Sequence, residues 1–330
     1  MLRYLIKRSL IAVITLLMIS ITTFWLFFAG SANPAAQMCG AKACDAAKIE
    51  RINKSLGLKD PIHEQYGRFM SGIFTGREIG EGADAIKCPA PCLGVSFRTS
   101  EPVLDIIERG LPVSASIAVG SAVISVLLGV SLGIASALKR GGWLDKFSIG
   151  FALTGASLQI FFLGLLLQMV LVYQLKIWDR PRYVPPSEDF LGWLSGMSLP
   201  WVTLGVLSAA TYARFARAEM LEILSEDFVR TARAKGLTPR AVNIKHALRA
   251  SLSSIVTIFG LQLGGLLGGA AITETTFDMP GIGKLAVKAV GDDNLPIVMA
   301  TVLLAAFFVV LFNVIVDAMY AVIDPRVKLS

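Results

Sequence analysis

MLEILSEDFVRTARAKGLTPRAVNIKHALRASL, residues 220–252, is a basic stretch set between two hydrophobic segments. Its local chemistry reads as helix, break, helix. Ser225 is a candidate N-cap, Glu226 and Asp227 fall in the first turn, and Arg233 and Lys235 fall in the last. Gly236 stands where a left-handed residue ends a helix. Thr238 then offers a second N-cap, with Pro239 at the first helical position, where a missing N–H costs nothing. The sequence thus predicts two short capped helices meeting in a rigid turn, which favours a docking element over an ordinary solvated basic loop.

The surroundings of this stretch settle the class of protein. Hydrophobic residues make up 54% of the 330-residue chain, charged residues 17%, and mean hydropathy is +0.65, whereas a soluble protein carries roughly 25% charged residues. Apolar runs long enough to cross a bilayer as helices occur near 9–29, 112–138, 147–173, 198–216, 252–273 and 296–322. The expected fold is an all-α polytopic membrane protein with six transmembrane helices. It divides into an N-terminal helix (1–30), a small extracytoplasmic insert (31–110) between the first and second spans, and a core (111–330). The core carries a cytoplasmic helix pair (217–250) between the fourth and fifth spans.

Orientation follows from Lys and Arg. With the N-terminus inside, the cytoplasmic pieces 1–8, 139–146, 213–250 and 323–330 hold 16 of the 31 basic residues against 6 acidic ones. The insert 31–110 holds 10 of each sign. The excess charge is therefore on one side, as the positive-inside rule requires, with both termini cytoplasmic. A nucleic-acid partner, the other explanation of a pI near 9.3, would need a soluble basic face that this chain lacks. Arg3, Lys7 and Arg8 before the first apolar run also fit a secretory signal, but the run is longer than a signal's core, so an uncleaved first span is expected.

All four cysteines lie in the insert, Cys39 and Cys44 in CGAKAC and Cys88 and Cys92 in CPAPC. In an oxidising compartment, paired spacings read as disulfides, with three pairings open. A zinc site with His63 is the sharper alternative, but neither spacing is the common C-x2-C. The amphipathic runs AAKIERINKSLGL and HEQYGRFMSGIF predict short helices in a cap or docking surface.

Catalysis finds no footing. The two histidines, His63 and His246, lack an evident acid or nucleophile partner. PGIGKL (280–285) falls short of a phosphate-binding loop, because Asp278 occupies the first glycine position and Leu285 replaces Ser or Thr. The chain is read as a non-catalytic subunit with no cofactor or metal of its own.

In the fifth span, Gly260, Gly264 and Gly268 form one ladder of small residues and Gly265 with Gly269 another, permitting close approach of a helix from this chain or another. Gln262, Glu274, Asn313 and Asp317, with Gln159 and Gln168, lie in or near spans, where polar groups are costly and face a bundle interior or a water-filled path. Gln262, Gly264, Gly268, Glu274, Asn313 and Asp317 are therefore candidate pathway or packing residues.

VRTARAKGLTPRAVNIKHALRASL resembles the EAA loop of ABC-importer permeases, in the form found in the dipeptide, oligopeptide and nickel family. The opening MLRYLIKRSL, LGLKDPIHEQY, GVSFRTSEPV, LPVSASIAVG with the following LKRGGWLDK, ITETTFDMPGIG and the closing VDAMYAVIDPRV are similar to that family's first permease subunit. The EAA-x-x-x-G pattern falls on Arg230, Thr231, Ala232 and then Gly236, the general motif's Glu and first Ala being replaced. Ser253-Ser254 stands where the family often has Ile-Pro, and 77–92 looks like an insertion.

The resemblance implies a pore-forming subunit in the cytoplasmic (inner) membrane, paired with a second, homologous permease and two ABC ATPases. ATP and Mg would be held in those ATPases, and an extracytoplasmic binding protein would deliver peptides. Phe228, Val229 and Ala232 are the expected contacts with an ATPase groove, with Arg230, Arg233 and Lys235 on its acidic rim and Thr231 and Gly236 completing the element. Nickel chelates are the alternative cargo, although no Cys, His or Met cluster marks a metal path. An ATP-independent channel or secondary transporter would need inverted repeats or broken midmembrane helices, and neither is evident in the sequence. A membrane sensor that recruits a kinase is a third class.

Overall fold

A computed structural model of the chain describes residues 2–29, 50, 60–79 and 86–323. It is built of helices. α1 (Leu2–Ala29) is followed by the short α2 (Ile62–Thr75), a hairpin of β1 (Arg77–Ile79) and β2 (Ile86–Cys88), and the long α3 (Val103–Leu138). A glycine turn with Gly141 at φ +80° leads into α4 (Trp143–Ser157). α5 (Ile160–Leu167) continues as a π-helix through Gln168–Gln174. α6 (Phe190–Ser225) starts on an Asp189 carboxylate that accepts from Gly192 N at 2.9 Å, which satisfies one orphan donor of the first turn.

The remaining helices are α7 (Asp227–Ala234), α8 (Pro239–Leu267, π-helical over Val242–Leu248), α9 (Ala271–Thr276), α10 (Ile282–Gly291) and α11 (Leu295–Ile323). Among the described residues, five helices are long and apolar enough to cross a membrane, or up to six if α4 and α5 count as one span. The five coincide with five of the six apolar runs of the sequence, and the sixth run needs a correction. The run 147–173 is not a straight helix: the chain turns through 99° where Leu158 and Gln159 adopt extended backbone.

Small residues hold the bundle together. Gly129 and Gly133 of α3 lie against Ala209, Tyr212, Ala213 and Ala216 of α6, so close that an added Cβ would meet the Ala209 and Ala213 carbonyl oxygens at 2.5 Å. Backbones that near exchange dispersion contacts lipid cannot match. The predicted glycine ladder works the same way, within this chain. Gly260 and Gly264 of α8 and Gly268, which caps it, pack on Val316, Phe312 and Ala305 of α11. The second ladder does not form one face: Gly265 has open space beside it, whereas Gly269, at φ +123°, lies against Gly283 of α10.

The first and last helices are joined by Phe24, Phe69 and Met299 and by the Arg8–Asp317 ion pair, and Tyr66 of α2 donates to Ser20 of α1 at 3.3 Å. The part of the insert that is described is thus a cap on α1 and α11, and HEQYGRFMSGIF falls within α2 as expected. Arg77 stacks over Phe69 at 5.8 Å, and burial, with Arg68 nearby, pulls its guanidinium below the usual arginine range. Cys88 and Cys92 are bonded to each other, which removes them from any zinc site; Cys39 and Cys44, and most of AAKIERINKSLGL, lie outside the described residues. The segment before α3 is stitched to the α10–α11 turn by buried Asn294, which accepts from Phe97 N (3.1 Å) and donates to Ser96 Oγ (2.9 Å).

Candidate functional site

The helix–glycine–helix element forms where the sequence placed it. α7 ends at Ala234 with Lys235 as its C-cap, and Gly236 takes φ +77°, the left-handed region that a side chain disfavours. Leu237 N then reaches back to Ala232 O (3.3 Å) and Gly236 N to Arg233 O (2.9 Å), consuming carbonyls that the ending helix leaves free. Thr238 Oγ1 accepts from Ala241 N at 3.3 Å, and Pro239 follows at the first helical position. Thr238→Ala is expected to weaken the start of α8 by about 1 kcal/mol. Amide hydrogen exchange at the first turn of α8 should accelerate roughly fivefold while that of α7 stays unchanged.

Ser225 is a correction. It ends α6, its hydroxyl donates to Glu222 O within that helix (2.6 Å), and the N-cap position of α7 is Glu226, whose side chain makes no capping bond. The chain therefore turns at Glu226, in extended conformation at ψ 148°, rather than at the serine.

Burial sorts the element into two faces. Val229 and Ala232 were expected at an ATPase groove, but they point inward, into an apolar cluster with Ala137, Met220, Ile223, Val242 and Ala247. Their role is to fasten α7 to the ends of α3, α6 and α8. The outer face presents Phe228, 46% exposed, with Arg230, Thr231, Arg233, Lys235 and Gly236. Exposed Leu237 and Ile244 extend its apolar part, and Arg240, Lys245 and Arg249 its charge. Arg230 pairs with exposed Asp227 of the same helix at 3.4 Å, so the face carries mixed charge with a basic excess around Phe228, and the Val229–Ala232 cluster packs beneath it. α8 runs without interruption through Ser253-Ser254, where Ser254 donates to Glu219 of α6 at 2.6 Å.

The other candidates scatter. Glu274 is fully buried on α9 and joins three elements. Its Oε1 accepts from Ser114 Oγ of α3 (2.8 Å) and from Ala270 N (3.0 Å), and its Oε2 accepts from Lys284 N of α10 (2.8 Å). Ser114 in turn accepts from Ile282 N at 2.8 Å. Gly281 lies so close that a Cβ there would meet the Glu274 carboxylate at 2.4 Å. Glu274 is thus a packing residue. Gln168 donates to Thr276 O (3.1 Å), tying α5 to α9. Gln262 and Asn313 are half-buried on α8 and α11, and Asp317 is occupied by Arg8. In PGIGKL, Lys284 pairs with Asp278 and holds its carboxyl below the usual range.

Sequence reading missed the Asp145–Arg217 pair and the Ser114 link. The available signal for the first was an acid, Asp145, alone in the basic turn KRGGWLDK.

Comparison with known proteins agrees with this architecture. Residues 129–329 match the family model described as binding-protein-dependent transport system inner membrane component, and residues 1–118 match that family's N-terminal model. A dipeptide transport system permease protein of Alkalihalophilus pseudofirmus is 34% identical, over 99% of this chain and 100% of its own. A glutathione transport system permease protein of Pectobacterium atrosepticum is 36% identical over 99% of both. Among solved structures, the inward-facing MetNI methionine ABC transporter aligns with a TM-score of 0.53 at 18% identity, covering 68% of this chain and 100% of that one, a likeness of fold. The chain therefore belongs to the binding-protein-dependent transport system inner membrane components, as a permease subunit of the peptide-transport type.

Proposed function

We propose that this chain is one of two pore-forming subunits of an ATP-driven importer that carries peptides inward. The observation that carries the reading is the two-faced element around Gly236, fastened inward by Val229 and Ala232 and presenting Phe228, Arg230, Thr231, Arg233 and Lys235 outward. An exposed Phe228 among residues with a basic excess suits a groove with acidic edges, and charge complementarity would guide its docking. Two ATPase subunits, holding ATP and Mg, would grip this element and its counterpart on a second, homologous permease. Their closure on ATP would move α7 as a body and switch access across the bilayer.

The cargo class rests on the relatives, whose names specify dipeptide, glutathione and peptide transport. The chain itself supplies no hydrolytic chemistry in this scheme. Orientation rests on the charge bias, which sets both termini and the Gly236 element in the cytoplasm and leaves α2 and the hairpin outside for a substrate-binding protein.

The test is purification from the native membrane in mild detergent, identification of what accompanies the chain, and reconstitution in vesicles with labelled di- and oligopeptides. Co-purifying ATPase subunits and a second permease, with uptake that requires ATP and binding protein, is the expected result. A chain that travels alone and moves solute without ATP would overturn it.

A further inference from the structure

Asp145 opens α4 from a buried position, and both of its oxygens are filled. Oδ1 accepts from Ser136 Oγ and from Arg217 Nε, each at 2.6 Å; Oδ2 accepts from Gly141 N at 2.8 Å and from Arg217 Nη2 at 3.1 Å. One carboxylate thus joins the last turn of α3, the turn before α4, and α6. A two-pronged guanidinium–carboxylate contact fixes direction as well as distance. Such a pair is weak evidence for stability, because desolvation offsets the attraction. A role in holding geometry accounts better for its place here.

That place lies between the docking element and the broken span. Arg217 lies roughly 12 Å of helix, at about 1.5 Å per residue, before the end of α6 that leads into α7. Below it, Met220 and Ile223 of α6 pack with Val229 and Ala232 of α7 and with Ala137, the neighbour of Ser136. Above it, α4 runs to the 99° break, and beyond the break α5 lies on α9, with Gly164 against Thr276 and Phe277 and Gln168 bonded to Thr276 O. Among the described residues no other side-chain hydrogen bond or ion pair joins α4 to another element, and its remaining hold on α6 is packing, with Gly155 against Ala210. The Trp143, Phe147 and Phe151 rings stack along its outer side, with Trp143 75% exposed.

We propose that Asp145 and Arg217 are positioning residues that fasten α4 to the unit carrying the docking element, so that a movement of α7 is passed to the bent α4–α5 span. The proposal rests on the importer reading. It makes the pair necessary for converting ATP hydrolysis into transport, rather than for assembly or for hydrolysis.

The experiment uses the whole complex in vesicles and compares Asp145→Asn, Arg217→Gln, the double variant and the conservative Arg217→Lys. Three quantities are read: ATPase subunits co-purified, ATP hydrolysed, and peptide taken up. The expected result is normal assembly, retained hydrolysis and uptake reduced tenfold or more in each neutralised variant. Arg217→Lys, which keeps charge and one donor direction, should be intermediate. The double variant should be no worse than the worse single, because both remove one contact. Uptake and hydrolysis that fall together in proportion to assembled complex, in Arg217→Lys as well, would reduce the pair to a structural role and overturn the proposal, as would normal uptake in Arg217→Gln. Wild-type complex without ATP-driven uptake would remove the importer reading and this proposal with it; a coupled wild type with coupled variants removes this proposal alone.

Discussion

Glu274→Ala is expected to leave little chain that survives extraction and mild heating in detergent. The fully buried carboxyl satisfies the buried Ser114 Oγ and Ala270 N and the part-buried Lys284 N at 2.8, 3.0 and 2.8 Å. Alanine strands all three donors. Leaving a buried donor unpaired costs about 1–3 kcal/mol, so the loss is on the order of 5 kcal/mol, before the cavity left by the side chain is counted. That is a large fraction of the roughly 5–15 kcal/mol that holds a typical domain together. Glu274→Gln separates hydrogen bonding from bulk. Its carbonyl can still serve Ser114 and Ala270, but its NH2 then faces the Lys284 N–H, so one donor is lost instead of three. The expected order of thermal midpoint is wild type, then Gln, then Ala, with the gap to Ala the larger. An alanine variant as heat-resistant as wild type would show that α3, α9 and α10 are held by something other than this carboxyl.

Glu274 also marks the limit of what the sequence could say. An acid beside an apolar span signals an interior position, and that much was legible. That Ser114, 160 residues away, would answer it was not, because nothing local links the two. The Asp145–Arg217 pair, 72 residues apart, is the same case. What was readable was local: apolar runs gave the spans, Thr238-Pro239 gave the start of α8, and the order of charges and Gly236 gave the end of α7.

The misreadings share a cause as well. Ser225 looks like an N-cap in isolation, but α6 keeps it, since its hydroxyl finds Glu222 O one turn back. The span 147–173 has no proline at Leu158-Gln159 to announce the 99° break, beyond which Gln168 bonds to Thr276 O of α9, more than 100 residues away in sequence. Val229 and Ala232 stand three apart, the spacing of one helix face, and that face is the one α7 buries. The family resemblance points both at a partner's groove; their spacing points them inward, and inward is where they lie.

The second large effect is at Gly236, and its logic is conformational. A Cβ built there meets nothing within 4 Å, so any penalty comes from the backbone at φ +77° and not from collision. A side chain in the left-handed region costs roughly 1–2 kcal/mol, and a β-branched one stands at the upper end. Asparagine is the exception, because it enters that region readily. The predicted order of peptide uptake is therefore Gly236 and Gly236→Asn nearly equal, Gly236→Ala lower, and Gly236→Val lowest. If the turn must be left-handed for α7 to be presented, about 1–2 kcal/mol reduces the competent population by roughly 5- to 30-fold. Binding of the ATPase subunits should weaken by the same factor, while the amount of chain in the membrane hardly changes, since Val229, Ala232 and Val242 still pack beneath. A series ranked by side-chain size, with Asn as poor as Val, would mean instead that a partner packs directly on the glycine. A flat series would mean that the turn carries no coupling at all.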